Sequence, residues 1–583
     1  MEFTFNLLDE PWLVALPVGG GTAQEVGVRR ILLESERFRD LVVELPTQKP
    51  AILRQVLLPI VVDALGPADS AREWAAMFNA GVFSGEQLDR IAAYLDQHRD
   101  RFDLFSPQDP FAQAKGLRTL KDETKGSALL VATAATGNNV PLFSSRSEAD
   151  VLELTPAQAA RWLLHTHCWD TASIKTGVVG DPQVKSGKTT GNPTGPLGQL
   201  GVVLPVGRTL YETVLLNLPI GRAGLSGDRP QWRRRDLDGK PQETLSCATP
   251  VWQTRAAKGP LDLWTWQSRR IRLFPEQTEA GVRVTRVLVA AGDRLESTPT
   301  DLEPHTTWTL DTTGSARTRK TNGRTSVAAA VRPRRHQPGK AAWRGLEALL
   351  ATDRQDQDPT KKRTGFRTSA LLDQLRELRD LMPEGYPLQV ELTGIAYGNQ
   401  SAVVEDVLFD TIPLPLTALD PDSLVYTSLL EVADQAEKLA QAVNNLSADL
   451  RRAVGADPIP WDKGQRPGET LLHALDRLVR RLLGELRSAG EDFDACERVL
   501  SRWERDADRE TWMVAEQVFA TTAPSAFAGR TISKDNKDRV YRLSTAEAGF
   551  RSGVNAALTR LAAERKAARE QNTPAAVDLP KEG

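Results

Sequence analysis

Residues 424–450 read LVYTSLLEVADQAEKLAQAVNNLSADL. Within them Leu429, Val432, Ala436, Leu439, Val443, Leu446 and Leu450 advance in steps of three and four. That spacing places apolar side chains along one face of an α-helix. The same steps recur in Leu471, Leu475, Leu478, Leu482 and Leu486, in Phe493, Cys496, Leu500 and Trp503, and in Phe550, Val554, Leu558 and Leu561. Each stripe is too narrow to be buried by its own helix. Four in succession predict a C-terminal four-helix bundle over residues 424–572. Residues 573–583, rich in proline, charge and small side chains, are expected to form a disordered tail.

Upstream of Pro413 and Pro415 the pattern is mixed. Phe3, Phe5 and Leu7 alternate as in a half-buried strand, and Asp9-Glu10-Pro11 ends the run. Leu53, Val56, Leu57, Ile60 and Val61 predict a helix over about 50–65, and Leu88, Ile91 and Leu95 another over about 84–98. Thr155-Pro156 reads as the cap and first residue of a helix reaching about residue 164. Leu388, Val390 and Leu392, then Val403, Val404 and Val407, flank Gly398-Asn399 and predict a β-hairpin over 388–409. Residues 104–145 and 175–200 are crowded with turn formers, and loops of that length are usually functional. The expected fold class is α+β, with a large mixed N-terminal domain over 1–415 that carries irregular loops, followed by the bundle.

Composition narrows the function. Lys plus Arg number 74 and Asp plus Glu 76, a net charge of −2 over 583 residues. A wholly basic polyanion binder is excluded, but local basic surface is not. Residues 314–344 hold nine Lys or Arg and no acid, and Arg233-Arg234-Arg235 and Arg269-Arg270-x-Arg272 add clusters. Cys168, Cys247 and Cys496 are odd in number and far apart, which fits a reducing cytoplasm. The first residues, MEFTFNLLDEPW, lack the basic and apolar regions of a signal peptide. The best apolar run, AILRQVLLPIVVDALG, is interrupted by Arg54 and Asp63, so no membrane span is expected.

Several constellations suggest chemistry. Pro182 to Thr189 (PQVKSGKT) approaches a triphosphate-binding loop, but Pro182 stands where the leading glycine belongs. The TGNPTGPLG that follows cannot supply the helix whose N-terminal amides hold phosphate. His165, His167 and Cys168 are close in sequence, yet i, i+2 spacing on a helix sends the two histidines to different faces. No nucleophile elbow or paired-acid motif is recognisable. The basic loops suit phosphate contact, which raises affinity without reading sequence. The Gly398-Asn399-Gln400-Ser401 turn could close a routine hairpin or push side-chain amides into a duplex. On residues alone, a nucleoside-triphosphate hydrolase, an architectural subunit and a nucleic-acid reader all stay open.

A resemblance then adds to these readings. The motifs are Phe5-Asn6-Leu7-Leu8-Asp9-Glu10-Pro11-Trp12, Glu44-Leu45-Pro46, Asp109-Pro110-Phe111-Ala112-Gln113 and Thr136-Gly137-Asn138-Asn139 with Leu142-Phe143. They continue in Ile174-Lys175-Thr176-Gly177, Gly180-Asp181-Pro182, Lys185-Ser186-Gly187, Thr213-Val214-Leu215-Leu216-Asn217 and Gly398-Asn399-Gln400. In this order, over about 550 residues, the chain resembles the CasA family, large subunits of the type I-E CRISPR Cascade complex. The resemblance implies an RNA-guided DNA surveillance role without catalysis and without a cofactor. Its partners would be guide RNA, double-stranded target DNA, the other Cascade subunits (backbone, handle-binding and small) and a helicase–nuclease effector. The family inspects a protospacer-adjacent motif from the minor groove, whose degenerate donor and acceptor pattern favours tolerance of several motifs, while guide pairing reads the rest.

Residue by residue, the resemblance implies a minor-groove loop at Gly177, Val179, Gly180 and Asp181, and a glutamine wedge at Asn399, Gln400 and Ser401. It aligns Arg294 with a basic residue entering the minor groove, and Asn138, Asn139, Leu142 and Phe143 with a loop on the guide RNA handle. DNA phosphate contacts are expected from Lys185, Lys188, Arg317, Arg319, Lys320, Arg324, Arg334 and Arg335. Some relatives carry paired cysteines that can hold zinc. This chain has none, so no metal site transfers.

Overall fold

The computed structural model describes residues 3–134, 152–221, 227–236, 252–311, 319–321, 324–326, 330–352, 365–460, 465–534 and 537–571. The chain divides into two compact units. The first comprises Met1–Ala342 and Ala348–Ile412, the second Trp343–Glu347 and Pro413–Gly583.

The first unit mixes helices with small sheets. Its centre is a helical run that is α over Gln48–Ile52, π over Leu53–Leu57 and α again over Leu58–Leu65. Pro59 has no N–H to donate one turn back, which accounts for the wider turn before it. The run is buried from Gln48 to Val62, with Arg54 among the buried residues. The charge of Arg54 is neutralised inside the run. It is paired with Glu303, whose two carboxylate oxygens lie 2.7 and 2.8 Å from the guanidinium.

Helix α1 (Pro156–Trp169) begins at Thr155, whose hydroxyl accepts from the Gln158 amide while the Gln158 side chain accepts from the Thr155 amide. That reciprocal cap is the reason the helix starts there. It runs five residues beyond the expected end because Leu163 to Trp169 are all buried. Strands β1 (Lys175–Thr176) and β2 (Lys188–Thr189) pair antiparallel at the base of the glycine-rich loop. Strand β3 (Val202–Val206) is buried at every position. Strands β4 (Arg269–Thr278) and β5 (Gly281–Ala291) form an antiparallel hairpin with a bulge between Val284 and Arg286. Strands β6 (Gln389–Tyr397) and β7 (Val404–Pro413) supply the expected hairpin. The sheet order is β7-β6-β3, with Gln389 opposite Val206 and Thr393 opposite Val202.

The second unit contains α2 (Leu424–Ala453), α3 (Pro467–Ala489), α4 (Phe493–Ala520), α5 (Leu543–Ala557) and α6 (Thr559–Gln571). The apolar stripes of α2 to α5 are buried against one another, except that Phe493, expected to open the third stripe, is 61% exposed at the first turn of α4. The fourth stripe is not one helix, because Leu558 leaves helical geometry (φ −105°, ψ 76°). Trp343–Glu347 joins this unit, with Trp343 donating to Asp476 and Arg344 paired with Glu437 and Glu469, each of the two ion pairs at 2.8 Å. The expected tail at 573–583 lies outside the described residues. Among the described residues no helix is long and apolar enough to cross a membrane.

Candidate nucleic-acid interface

Two polar tips in the first unit are tied to one connecting segment, the residues between α1 and β1. One is the loop between β1 and β2. The Gly177 amide donates to the Gly187 carbonyl at 2.9 Å. A Cβ on Gly177 would lie 2.5 Å from Val184 Cγ1 and 2.7 Å from the Gly187 carbonyl carbon, so the two arms of the loop touch only because this residue is glycine. Gly180 is exposed at φ +81°, the left-handed region that glycine alone enters without cost. Val178 anchors the loop in a small buried cluster with Ala114, Leu117, Leu288 and Ala290. Val179 is half-buried. Asp181 faces inward. Its carboxylate accepts from Arg270 and from the Trp252 indole, so it is committed to holding the loop's base rather than to the surface. Lys185 and Lys188 are exposed where the loop turns back.

The other tip lies between β6 and β7. The Gly398 amide donates to the Val403 carbonyl at 2.9 Å, and Asn399–Ser401 form one 3-10 turn. Gln400 (φ 53°, ψ 26°) and Ser401 (φ 58°) both take left-handed conformations, which cost a non-glycine residue roughly 1 kcal/mol each. Asn399 and Gln400 are exposed and Ser401 is half-buried. The Ser401 carbonyl accepts from the Ala172 amide at 2.8 Å, and the Tyr397 hydroxyl donates to the Trp169 carbonyl at 2.5 Å. Both bonds tie this hairpin to the segment that leads from α1 into the glycine loop.

That segment is fixed by buried charge. The Asp170 carboxylate lies 2.6 Å from Lys175 Nζ and also accepts from Arg269. Burial alone would raise the Asp170 carboxyl, but Lys175 and Arg269 beside it hold it at about 2. Burial pushes Lys175 down to about 8 against the pull of Asp170. A cavity of about 340 Å³ opens beside these groups, with Thr171, Ser173, Lys175, Ala402 and Val404 in its wall.

Arg294 is brought to the glycine loop. Its guanidinium stacks 4.0 Å from the Trp252 ring centre and donates to the Thr190 carbonyl at 2.8 Å and to Asn192 at 3.2 Å. Arg335 is exposed, with a bond to the Gln199 carbonyl, and Arg334 is half-buried over Phe366. Arg319, Lys320 and Arg324 lie on two short paired strands, Arg319–Thr321 and Arg324–Ser326, and Ala330–Pro333 pairs with Trp308–Asp311. Arg317 and the guide-handle residues Asn138, Asn139, Leu142 and Phe143 lie outside the described residues.

The basic runs at Arg269-Arg270 and at Arg233 need correction, because these side chains are paired within the fold. Arg269 and Arg270 are 2% and 1% exposed, so the basic run there is an internal framework with Asp170 and Asp181 as counter-charges. Arg233 is likewise paired with Asp63 at 2.7 Å. The residues after Thr189 form no α-helix before Leu210, so the Pro182–Thr189 loop lacks the helix terminus that triphosphate binding requires. His165 contacts the Thr47 hydroxyl (2.9 Å) and His167 the Ala112 carbonyl (2.8 Å), while Cys168 meets the Gln55 amide. All three are packing residues. Among the described residues no group of three or more His, Cys, Asp or Glu is arranged to hold a metal ion.

The Asp170–Lys175–Arg269 mount and the Ala172 and Tyr397 tethers were missed in the sequence. Their only signal was the closeness of Lys175 to Gly177, because the partners are distant in the chain.

A family model described as CRISPR-associated protein Cse1 matches residues 6–514. A CRISPR-associated protein CasA/Cse1 of Thermus thermophilus is 28% identical over 517 residues, covering 88% of this chain and 90% of that protein. The crystal structure of Thermobifida fusca Cse1 is 30% identical with a TM-score of 0.76, covering 95% of this chain and 98% of the other. That of Cse1 from Acidimicrobium ferrooxidans is 28% identical with a TM-score of 0.74, covering 96% and 99%.

Proposed function

Because the chain belongs to the CRISPR-associated Cse1 family, we propose that it is the large subunit of an RNA-guided DNA surveillance complex and reads duplex DNA with its two joined tips. The loop at Gly177–Asp181 approaches the minor groove of a protospacer-adjacent motif, where its backbone and Arg294 meet a degenerate pattern of acceptors. Gln400, with Asn399 and Ser401, wedges the neighbouring base pair open. Guide RNA then captures the freed strand. Lys185, Lys188, Arg335 and the basic strands around Arg319 and Arg324 neutralise phosphates and add salt-dependent, sequence-independent affinity. Asn138, Asn139, Leu142 and Phe143 hold the guide handle. The second unit braces the opened duplex with the small subunits, and a separate helicase–nuclease cuts. No catalytic step is assigned to this chain.

The observation that carries the reading is the Ala172–Ser401 hydrogen bond. It supports a device in which inspection of the groove and separation of the strands occur on one rigid mount. The test is a gel shift of the assembled complex with and without this chain, on duplexes differing only in the flanking motif. Discrimination should vanish without the chain. Undiminished discrimination would make the chain a purely architectural subunit.

A further inference from the structure

The turn at Arg118–Asp122 is built directly against the glycine loop. The Val179 amide donates to the Arg118 carbonyl at 3.0 Å. One residue back on each side, Leu117 and Val178 share a buried cluster with Ala114, Leu288 and Ala290. Arg272 adds a bond to the Leu117 carbonyl at 3.1 Å. On the far side Lys125–Gly126 pairs with Arg286 and Val287 of β5. Both ends of the segment are therefore fixed to the sheet under the glycine loop, and only its tip projects. The tip is closed by the Asp122 amide on the Thr119 carbonyl and by the Thr119 hydroxyl on the Glu123 carbonyl.

The Arg118, Leu120 and Lys121 side chains project from this tip. Leu120 is 80% exposed, the most exposed large apolar side chain among the described residues. The Arg118 side chain is 58% exposed, with a loose contact to Asp122 at 3.8 Å, and Lys121 is exposed. A large apolar group between two cations, on a turn tied to a groove-reading loop, matches the chemistry of a nucleic-acid backbone. Cations meet phosphate, and the apolar group meets the sugar wall of the groove.

We propose that the Arg118–Asp122 turn is a third duplex-contacting tip. Arg118 and Lys121 bind phosphates flanking the motif, and Leu120 lies against the sugars of the same groove. The inference rests on the minor-groove reading above and extends it to the DNA outside the motif.

The experiment uses the assembled complex and a motif-bearing duplex without guide complementarity, so that no R-loop forms. Arg118→Ala with Lys121→Ala should weaken binding on the order of tenfold and lower the slope of log affinity against log salt by about 2. Leu120→Ala should weaken binding with the slope unchanged. A Gly180→Val complex is measured alongside. If both turn variants bind like the parent while Gly180→Val loses motif preference, this inference falls and the minor-groove reading stands. If Gly180→Val also behaves like the parent, both fall. If the turn variants fail to enter the complex, the tip is a protein contact and the inference is overturned.

Discussion

The Ala172 amide and the Ser401 carbonyl are joined by a 2.8 Å hydrogen bond. Ala172 lies three residues before Lys175, the first residue of the glycine loop's base, and Ser401 sits in the hairpin tip beside Gln400. One backbone bond thus connects two loops that are more than two hundred residues apart in sequence. Displacing the hairpin strains the segment that carries the glycine loop.

Replacing Ala172 with proline removes the donor of that bond. A lost hydrogen bond of this kind costs about 0.5–1.5 kcal/mol. Ala172→Pro is expected to lower R-loop yield by a factor of roughly two to ten at unchanged guide loading. Strand-opening kinetics on linear DNA measure it.

Gly177→Ala places a Cβ within 2.7 Å of the Gly187 backbone, where no side-chain rotation gives relief. The loop must open. Selectivity between motif-bearing and motif-free duplexes is expected to fall, while binding to motif-free duplex stays near that of the parent. A competition titration between the two duplexes measures both.

Arg54 and Glu303 are both almost fully buried. Burial would raise the Glu303 carboxyl, but Arg54 and His305 hold it at about 2. Removing one partner strands the other charge, so Glu303→Ala is expected to cost about 3–5 kcal/mol. Replacing both with apolar residues of similar volume should cost much less. Chemical denaturation of the two variants compares them.

His165 is fully buried, and burial pushes it down to about 3. The unfolded chain takes up this proton near pH 6.5. Stability therefore falls as pH drops below that value, by up to about 1.4 kcal/mol per pH unit for this group, until the folded imidazole titrates. Burial lowers His305 and His336 as well, and each adds to the slope. Thermal melts between pH 7 and 5 should show a falling midpoint, with a shallower fall in His165→Gln.

Periodicity made much of the fold legible. The stripe from Leu429 to Leu450 lies in α2 because steps of three and four have one solution in a helix. The break at Leu558 was not legible. Glu504, fully buried, accepts the Leu561 amide at 2.8 Å, and Arg560 joins Glu431, Glu497 and Glu504. Those partners lie 56 to 129 residues from Arg560, beyond any local pattern. The two tips announced themselves through glycine content and the Gly398-Asn399 turn. Their mount did not. Arg269 and Arg270 read as surface charge until Asp170 and Asp181 are folded against them. Buried ion pairs carry no periodic signature, so a sequence shows the charges without the pairing.

The most direct test measures R-loop formation and initial duplex binding together, in complexes containing Asn399→Ala with Gln400→Ala. A wedge acts after the duplex is engaged. R-loop yield on linear DNA should fall by at least about tenfold, while affinity for a motif-bearing duplex without guide complementarity changes by less than about threefold. R-loop yields equal to those of the parent chain would contradict the account.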